Sequence, residues 1–293
     1  MSDLAEILDV LVDAVTAGAV QVLAVKQGGA LGAAIKYGRE LVTEADKRSD
    51  AAILAVFERR FPGIDGEIRF HLEESGDSGG VAGSLKIAGA DPVDGTNIFA
   101  CGSNVYAVQA HYVEDGVPQV GVVFQPEAYL PLDETERCVG RLVTGVRDGG
   151  AFTRRSEYTG SGFEFGPARK LGPRPAPDGK AYVACVPFGT KMEVIEREAV
   201  RRVQESNLIA SNTGAGSAAA NVMMVVFGVQ HVYGNFGAGE DLDLIPPQVI
   251  AREAGFTVWN EHREEPRWLV KKQPFIVAPN EAVAELFLRT AGF

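Results

Sequence analysis

The chain has 293 residues, 46% apolar and 23% charged, the proportions of an ordinary globular protein with one large or two modest cores. Its 28 Lys and Arg stand against 39 Asp and Glu, a formal net charge of −11, which argues against a nucleic acid polymer as partner while allowing a small phosphorylated ligand that brings cations with it. The apolar stretch Val222–Val229 falls far short of the roughly 20 residues of a bilayer span, and the acidic start Met-Ser-Asp-Leu-Ala-Glu lacks the basic and apolar regions of a secretory signal. No membrane helix is therefore expected, and a cytoplasmic location is. Cys101, Cys138 and Cys185 are too scattered for a disulfide framework or a thiolate zinc site and read as buried small hydrophobes.

In chain order, apolar positions at Leu4, Ile7, Leu8, Leu11, Val15 and Ala19 predict an amphipathic helix from Leu4 to Lys26. A second is predicted over Glu44–Phe61, with Thr43 as its cap and Pro62-Gly63 as its stop. Short apolar runs follow at Leu85–Ala90, Val105–Tyr112 and Val117–Phe124, a strand and then a hairpin turning at Glu-Asp-Gly. From Gln125 to Lys180 the composition turns to Gly, Pro, Arg, Thr and Ser, which suggests a boundary or an extended excursion. A soft boundary near residue 150 divides an N-terminal half, 1–150, from a C-terminal half, 151–293. The second half alternates: a strand (Ala181–Val186), helices (Met192–Ser206 and Gly216–Gly228), a strand (Val229–Tyr233), a helix (Asp243–Gly255), strands near Thr257 and Phe275, and a last helix from Glu281. Such alternation means α/β or α+β layers.

Three motifs compete for the function. Gly76-Asp77-Ser78-Gly79-Gly80 spells a segment familiar around a protease serine, but no histidine and carboxylate in a supporting context accompany it. Gly214-Ala215-Gly216-Ser217-Ala218-Ala219 fits a dinucleotide-binding pattern, with Glu240 at the distance of a ribose-binding acid, yet no clear βαβ unit surrounds it. The third motif is acidic: Asp91-Pro92-Val93-Asp94-Gly95-Thr96 follows a strand, so its carboxylates emerge where a ligand can reach them. Carboxylates this close repel unless a cation lies between them or one is protonated. An all-oxygen set favours magnesium over zinc or copper, and Glu73, Glu74 and Asp46 add further hard donors.

Taken together these residues resemble the inositol monophosphatase superfamily of magnesium-dependent, typically lithium-sensitive phosphatases. The resemblance runs from Leu41-Val42-Thr43-Glu44-Ala45-Asp46 through Glu73-Glu74-Ser75-Gly76 and the Asp91–Thr96 motif to Gly216-Ser217-Ala218-Ala219, and ends with Asp243 ahead of Glu253-Ala254-Gly255. It implies alternating helix and sheet layers, an αβαβα sandwich like that of fructose-1,6-bisphosphatase, and a homodimer. It further implies two or three magnesium ions on Glu73, Asp91, the Val93 carbonyl, Asp94 and Asp243. Thr96 and Asp46 would orient and deprotonate the attacking water, with Glu74 in support. Phosphate would rest on the N–H groups of Gly95 and Thr96, and Gly216, Ser217 and Ala218 would face the alcohol of a small phosphate monoester. Such ions neutralise the ester's charge and lower the pKa of bound water.

The pattern departs from the family in several places. Ile98 stands where the family has Asn, with Asn97 one place early; Leu242 replaces a Trp; and Asp241 rivals Asp243 as the last ligand. Asn235 or Phe236 occupies the point where an inositol-binding Glu is expected, so inositol phosphate is not singled out among sugar and nucleotide phosphates. A metal-binding member without catalysis is the alternative reading and a nucleotide-binding oxidoreductase the third. The stretch Arg147–Arg174 reads as a solvated loop, with Arg154 and Arg155 as candidates for a second anionic group.

Overall fold

The computed structural model describes residues 3–29, 32–37, 40–127, 140–173, 175, 181–187, 192–237, 241–267 and 274–293. Helix α1 (Leu4–Gln27) starts at Asp3, whose carboxylate accepts from the Ala5 N–H. Its stripe of Ile7, Leu11, Ala14, Val15 and Val22 is fully buried. By length and composition α1 is apolar enough to cross a membrane, but here that face covers α2 (Glu44–Arg60) and the first sheet. A small hairpin, β1 (Ala34–Tyr37) and β2 (Glu40–Val42), joins the two helices.

The first sheet holds β3 (Arg69–Leu72), β4 (Gly76–Ser78), β5 (Lys86–Asp94), β6 (Ala107–Glu114), β7 (Val117–Gln125), β8 (Gly140–Val146), β9 (Gly150–Tyr158), β10 (Phe163–Phe165) and β11 (Arg169–Lys170). Its order is β10-β9-β8-β7-β6-β5-β3-β4, with β11 beside β9, and among the described residues only β3 and β5 run parallel. Strand β5 reaches past the apolar run Leu85–Ala90 to include the acidic motif, because Asp91 pairs with Gln109 and Asp94 with Ala107 across an irregular register. The carboxylates thus lie in the sheet rather than beyond its end. The Gly- and Arg-rich stretch after Gln125 is not a plain loop either. Strands β8 and β9 continue the sheet there, and residue 150, near which a soft boundary was expected, opens β9. The change of sheet comes between β11 and the next strand, β12 (Tyr182–Cys185).

The second sheet adds β13 (Ile209–Asn212), β14 (Val232–Asn235), β15 (Thr257–Asn260) and β16 (Phe275–Ala278) in the order β13-β12-β14-β16-β15. Between the sheets lie α5 (Ala218–Val226) and α6 (Asp241–Glu253), which bury Val222, Val226 and Ile250 against Val123 and Val143 below and Phe275 and Val277 above. Helices α4 (Val194–Gln204) and α7 (Glu281–Ala291) cover the far face through Val200, Val203, Phe287 and Leu288. The result is the αβαβα layering. A Cβ on Gly121 would stand 2.3 Å from the Pro246 carbonyl oxygen and one on Gly145 2.8 Å from Ile250 Cα, so glycines in β7 and β8 let α6 lie directly on the sheet. Of the cysteines, Cys185 is buried, and burial pushes its thiol up to about 12. Cys101, expected inside, is exposed at the end of the short helix α3 (Thr96–Ala100); Cys138 lies outside the described residues.

Candidate active site

The site forms where β5 ends. Asp91 and Asp94 are buried on the last residues of that strand, and the chain then turns through Gly95, at a φ of 97° that favours glycine, into α3. Asp243, one turn into α6, arrives from the other side. Carboxylate oxygens of Asp91, Asp94 and Asp243 lie within 4.8 Å of one another. Glu73, which follows β3, adds a fourth acidic side chain beside Asp91.

Burial pushes the Asp91 carboxyl well above the ordinary carboxylate range, and the charges of Glu73, Asp243 and Asp94 push it further. Burial also raises Asp94, against the pull of donors from Ser217, Ala219 and Ala218. Burial raises Glu73 as well; Lys36 works against this and Glu74 adds to it. Lys36 projects from β1, with Nζ 2.6 Å from Glu74 Oε1 and 3.2 Å from Glu73 Oε1. Burial opposes its charge, but these two acids outweigh burial and hold it protonated. One lysine does not balance this many acids. The hard, all-oxygen donor set fits magnesium, which would balance the charge these acids carry.

Beside the cluster, Thr96 Oγ1 lies 2.9 Å from Asp46 Oδ1 and 2.9 Å from the Val93 carbonyl oxygen. Asp46 is held by its own helix: its Oδ2 accepts from the Thr43 N–H at 2.7 Å, which makes it the acidic member of the α2 capping box. A hydroxyl, a carboxylate and the acidic cluster therefore adjoin where β5 ends. The Glu74 N–H donates to Asp50 Oδ1 at 3.2 Å, tying the segment after β3 to α2.

The model of the inositol monophosphatase family fits residues 3–292. The chain belongs to the inositol monophosphatase family. It is 35% identical over 127 residues to an inositol-1-monophosphatase of Synechocystis, a match covering 43% of this chain and 42% of that protein. Among solved structures, the extragenic suppressor protein SuhB of Bartonella henselae superposes with a TM-score of 0.72 at 20% identity, over 97% of both chains. An IMPase of Thermotoga maritima gives 0.70 at 20% identity, over 98% of this chain and 96% of its own.

Within the family, several residues of this chain take unexpected places. Ser217 Oγ donates to Asp94 Oδ2 at 2.5 Å, and the N–H groups of Ala218 and Ala219 reach the same carboxylate at 3.0 and 2.7 Å. Ser217 and the Ala218 N–H, expected to face an alcohol, thus cradle Asp94, while Gly216 stays exposed. The same contact argues against the dinucleotide reading, because a carboxylate already sits at the start of α5, where a pyrophosphate would have to lie. Glu240 lies outside the described residues, as does the side chain of Asp241.

Ile98 packs where a Cβ on Gly216 would meet it at 2.6 Å, and Asn97 Oδ1 instead accepts from the Leu41 N–H at 3.3 Å. Phe236 is buried against Phe293. Asn235 is buried too, accepting from the Gly237 N–H at 3.0 Å. The protease-like segment is the edge strand β4. There Asp77 meets His71 at 2.8 Å, whereas Ser78 pairs with Phe70 and projects to the opposite face. Arg154 donates to the Gly166 carbonyl at 2.9 Å from within β9, so it is part of a sheet and not of a loop.

Two residues at the site escaped the sequence reading. Lys36 is the one charged residue of the short strand Ala-Ile-Lys-Tyr. Gln109 is a polar residue inside the apolar run Val105–Tyr112, and that interruption was its one signal.

Proposed function

We propose that this protein is a magnesium-dependent phosphatase of a small phosphate monoester, in which Glu73, Asp91, the Val93 carbonyl, Asp94 and Asp243 hold two or three ions. The observation that carries this reading is the meeting of Asp91, Asp94 and Asp243 within 4.8 Å, next to the Thr96–Asp46 pair. When bound, magnesium neutralises the ester's charge and acidifies water. Thr96 orients the attacking water through its hydroxyl, and Asp46, held by the α2 cap, draws the proton off through Thr96. Glu74, its charge shared with Lys36, supports this pair. The N–H groups of Gly95 and Thr96, which open α3 and have no partner within it, seat the phosphate oxygens. Gly216 and Ala218 border the alcohol, and Ser217 acts through Asp94.

With Phe236 turned into the core and no acid at that point, the reading does not single out inositol phosphate; sugar and nucleotide phosphates remain in the substrate class. A cytoplasmic location and a homodimer belong to the same reading, the second supported by the family.

The test is phosphate release from a broad panel of monoesters by the purified protein in magnesium, in chelator, and in magnesium with lithium. Release that needs magnesium and is inhibited by lithium supports the reading. Magnesium uptake by calorimetry without hydrolysis of any member would make this a metal-binding protein that lacks catalysis.

A further inference from the structure

Gln109 stands across from Asp91 in the β5–β6 ladder, its side chain fully buried. Its Nε2 lies 3.4 Å from Asp91 Oδ2 and 3.3 Å from the main-chain carbonyl oxygen of Asp243. Turning the amide over would set Oε1 against both of these oxygens, so its orientation is determined. Held this way, Oε1 has no hydrogen-bond partner among the described residues. An apolar side chain of similar size would fill the space without burying an unmatched acceptor. Packing alone does not account for a glutamine here.

The other half of the observation lies in α6. In a regular helix the carbonyl of residue i is bonded by the N–H of residue i+4, which for Asp243 is Pro247. Proline has no N–H, and its ring crowds that carbonyl. The helix therefore brings no i+4 donor to the Asp243 carbonyl, and Gln109 brings one from the sheet beneath. The close approach of Pro246 to Gly121 keeps this turn of α6 within the amide's reach.

We propose that Gln109 is a positioning residue. Its one amide braces the carboxylate of Asp91 and the main chain of Asp243, keeping ligands from the two sides of the site in register, and Pro247 directs the Asp243 carbonyl to it. This inference rests on the metal-site reading above.

The test is calorimetric titration of magnesium into the metal-free wild type, Gln109→Met, Pro247→Ala and the double variant, with thermal unfolding of each in chelator. Gln109→Met should weaken magnesium binding about tenfold, the usual scale for a group that orients a ligand. Pro247→Ala returns an N–H to the helix, so the double variant should lose markedly less than Gln109→Met alone. Unchanged affinity in Gln109→Met, or strictly additive losses, would overturn the brace. If Gln109→Met does not fold, Gln109→Asn, which withdraws the amide by one methylene, carries the same cycle. A wild type that takes up no magnesium overturns the metal reading instead; the brace is then judged by non-additivity of the unfolding midpoints.

Discussion

Asp91 and Asp94 lie three residues apart on one strand, both buried, yet the protein surrounds their charges differently. Asp94 is met by the start of α5, where a hydroxyl and two N–H groups converge on it and the helix dipole favours an anion. Asp91 looks into Glu73, Asp243 and Asp94. Among the described residues its donors are the Val93 N–H at 2.9 Å and the long contact from Gln109. The fold supplies most of what one carboxylate needs and leaves the other to an outside cation. A site that must bind a dication and release product gains from such a division: Asp94 is fixed in place beforehand, and the unsatisfied charge at Asp91 provides the attraction.

The largest expected effect comes from removing that unsatisfied charge. Asp91→Asn should lower turnover at least a hundredfold in magnesium, as loss of the central ligand would. In chelator the same variant should be at least as stable as wild type, because it removes a buried charge that Glu73, Asp243 and Asp94 all disfavour. Steady-state rates and thermal unfolding of one preparation check both halves. Near-normal activity would remove Asp91 from the metal site.

Asp94→Asn should behave differently in chelator. Whichever way the new amide is placed, its NH2 faces the N–H of Ala218 or Ala219, and an unmatched buried donor costs about 1–3 kcal/mol. Equal stability of the two variants in chelator would erase the distinction between the two acids.

The comparison also fixes a pH dependence. Asp91, Asp94 and Glu73 have folded-state values raised above the unfolded ones, near 4 for such groups. Folded protein then binds more protons than unfolded in the window above about 4, so stability falls as pH rises through it. In chelator, the contribution of these acids should therefore grow as pH is lowered from neutrality toward 5, read as the difference between wild type and Asp91→Asn, while His111, whose burial pushes its imidazole down to about 3, works the other way over the same interval in both proteins. Magnesium needs the ionised acids, so its affinity should change the other way, falling over the same interval. Acids held low by arginines, such as Glu265 beside Arg147, give up their contribution only as pH falls below the ordinary carboxylate range. Asp91→Asn should change the slope in chelator more than any surface substitution, in the direction of removing the acids' contribution.

How much of this the amino-acid string reveals depends on the range of the interactions. The Asp91–Thr96 motif is local, with its turn, its carboxylates and the hydroxyl that reaches Val93 all within six residues, and it reads directly. Helices α1 and α2 announce themselves by periodicity and caps. Asp243 is placed by its spacing from Glu253, although Glu253 itself goes to the Gly150 N–H and Arg252 and anchors the end of α6 to β9. The cradle of Asp94 spans 123 residues in sequence, and nothing local to Ser217 marks its partner. Strands β8 and β9 were hidden because their buried positions include Gly140, Thr153 and Ser156, which blunt the alternation of apolar side chains. Gln109 and Lys36 acquire meaning only from register and layering.

The smallest expected effect decides how completely the helix serves Asp94. Ser217 both caps α5, accepting from the Ala220 N–H at 3.0 Å, and donates to Asp94. Losing a serine cap costs about 0.5–2 kcal/mol, and a hydrogen bond to a charged group is worth about 1.5–3 kcal/mol, part of which the neighbouring N–H groups can make good. Ser217→Ala should thus destabilise the protein by about 1–2 kcal/mol in chelator, where Asp94 relies wholly on the protein. In saturating magnesium the loss should shrink toward that of the cap alone, because an ion on Asp94 takes over part of the hydroxyl's work. Thermal unfolding of wild type and variant under both conditions reads the difference. A loss of equal size in both would mean that the charge of Asp94 belongs to α5 alone and that the last oxygen donors must be sought at Asp91, Glu73 and Asp243.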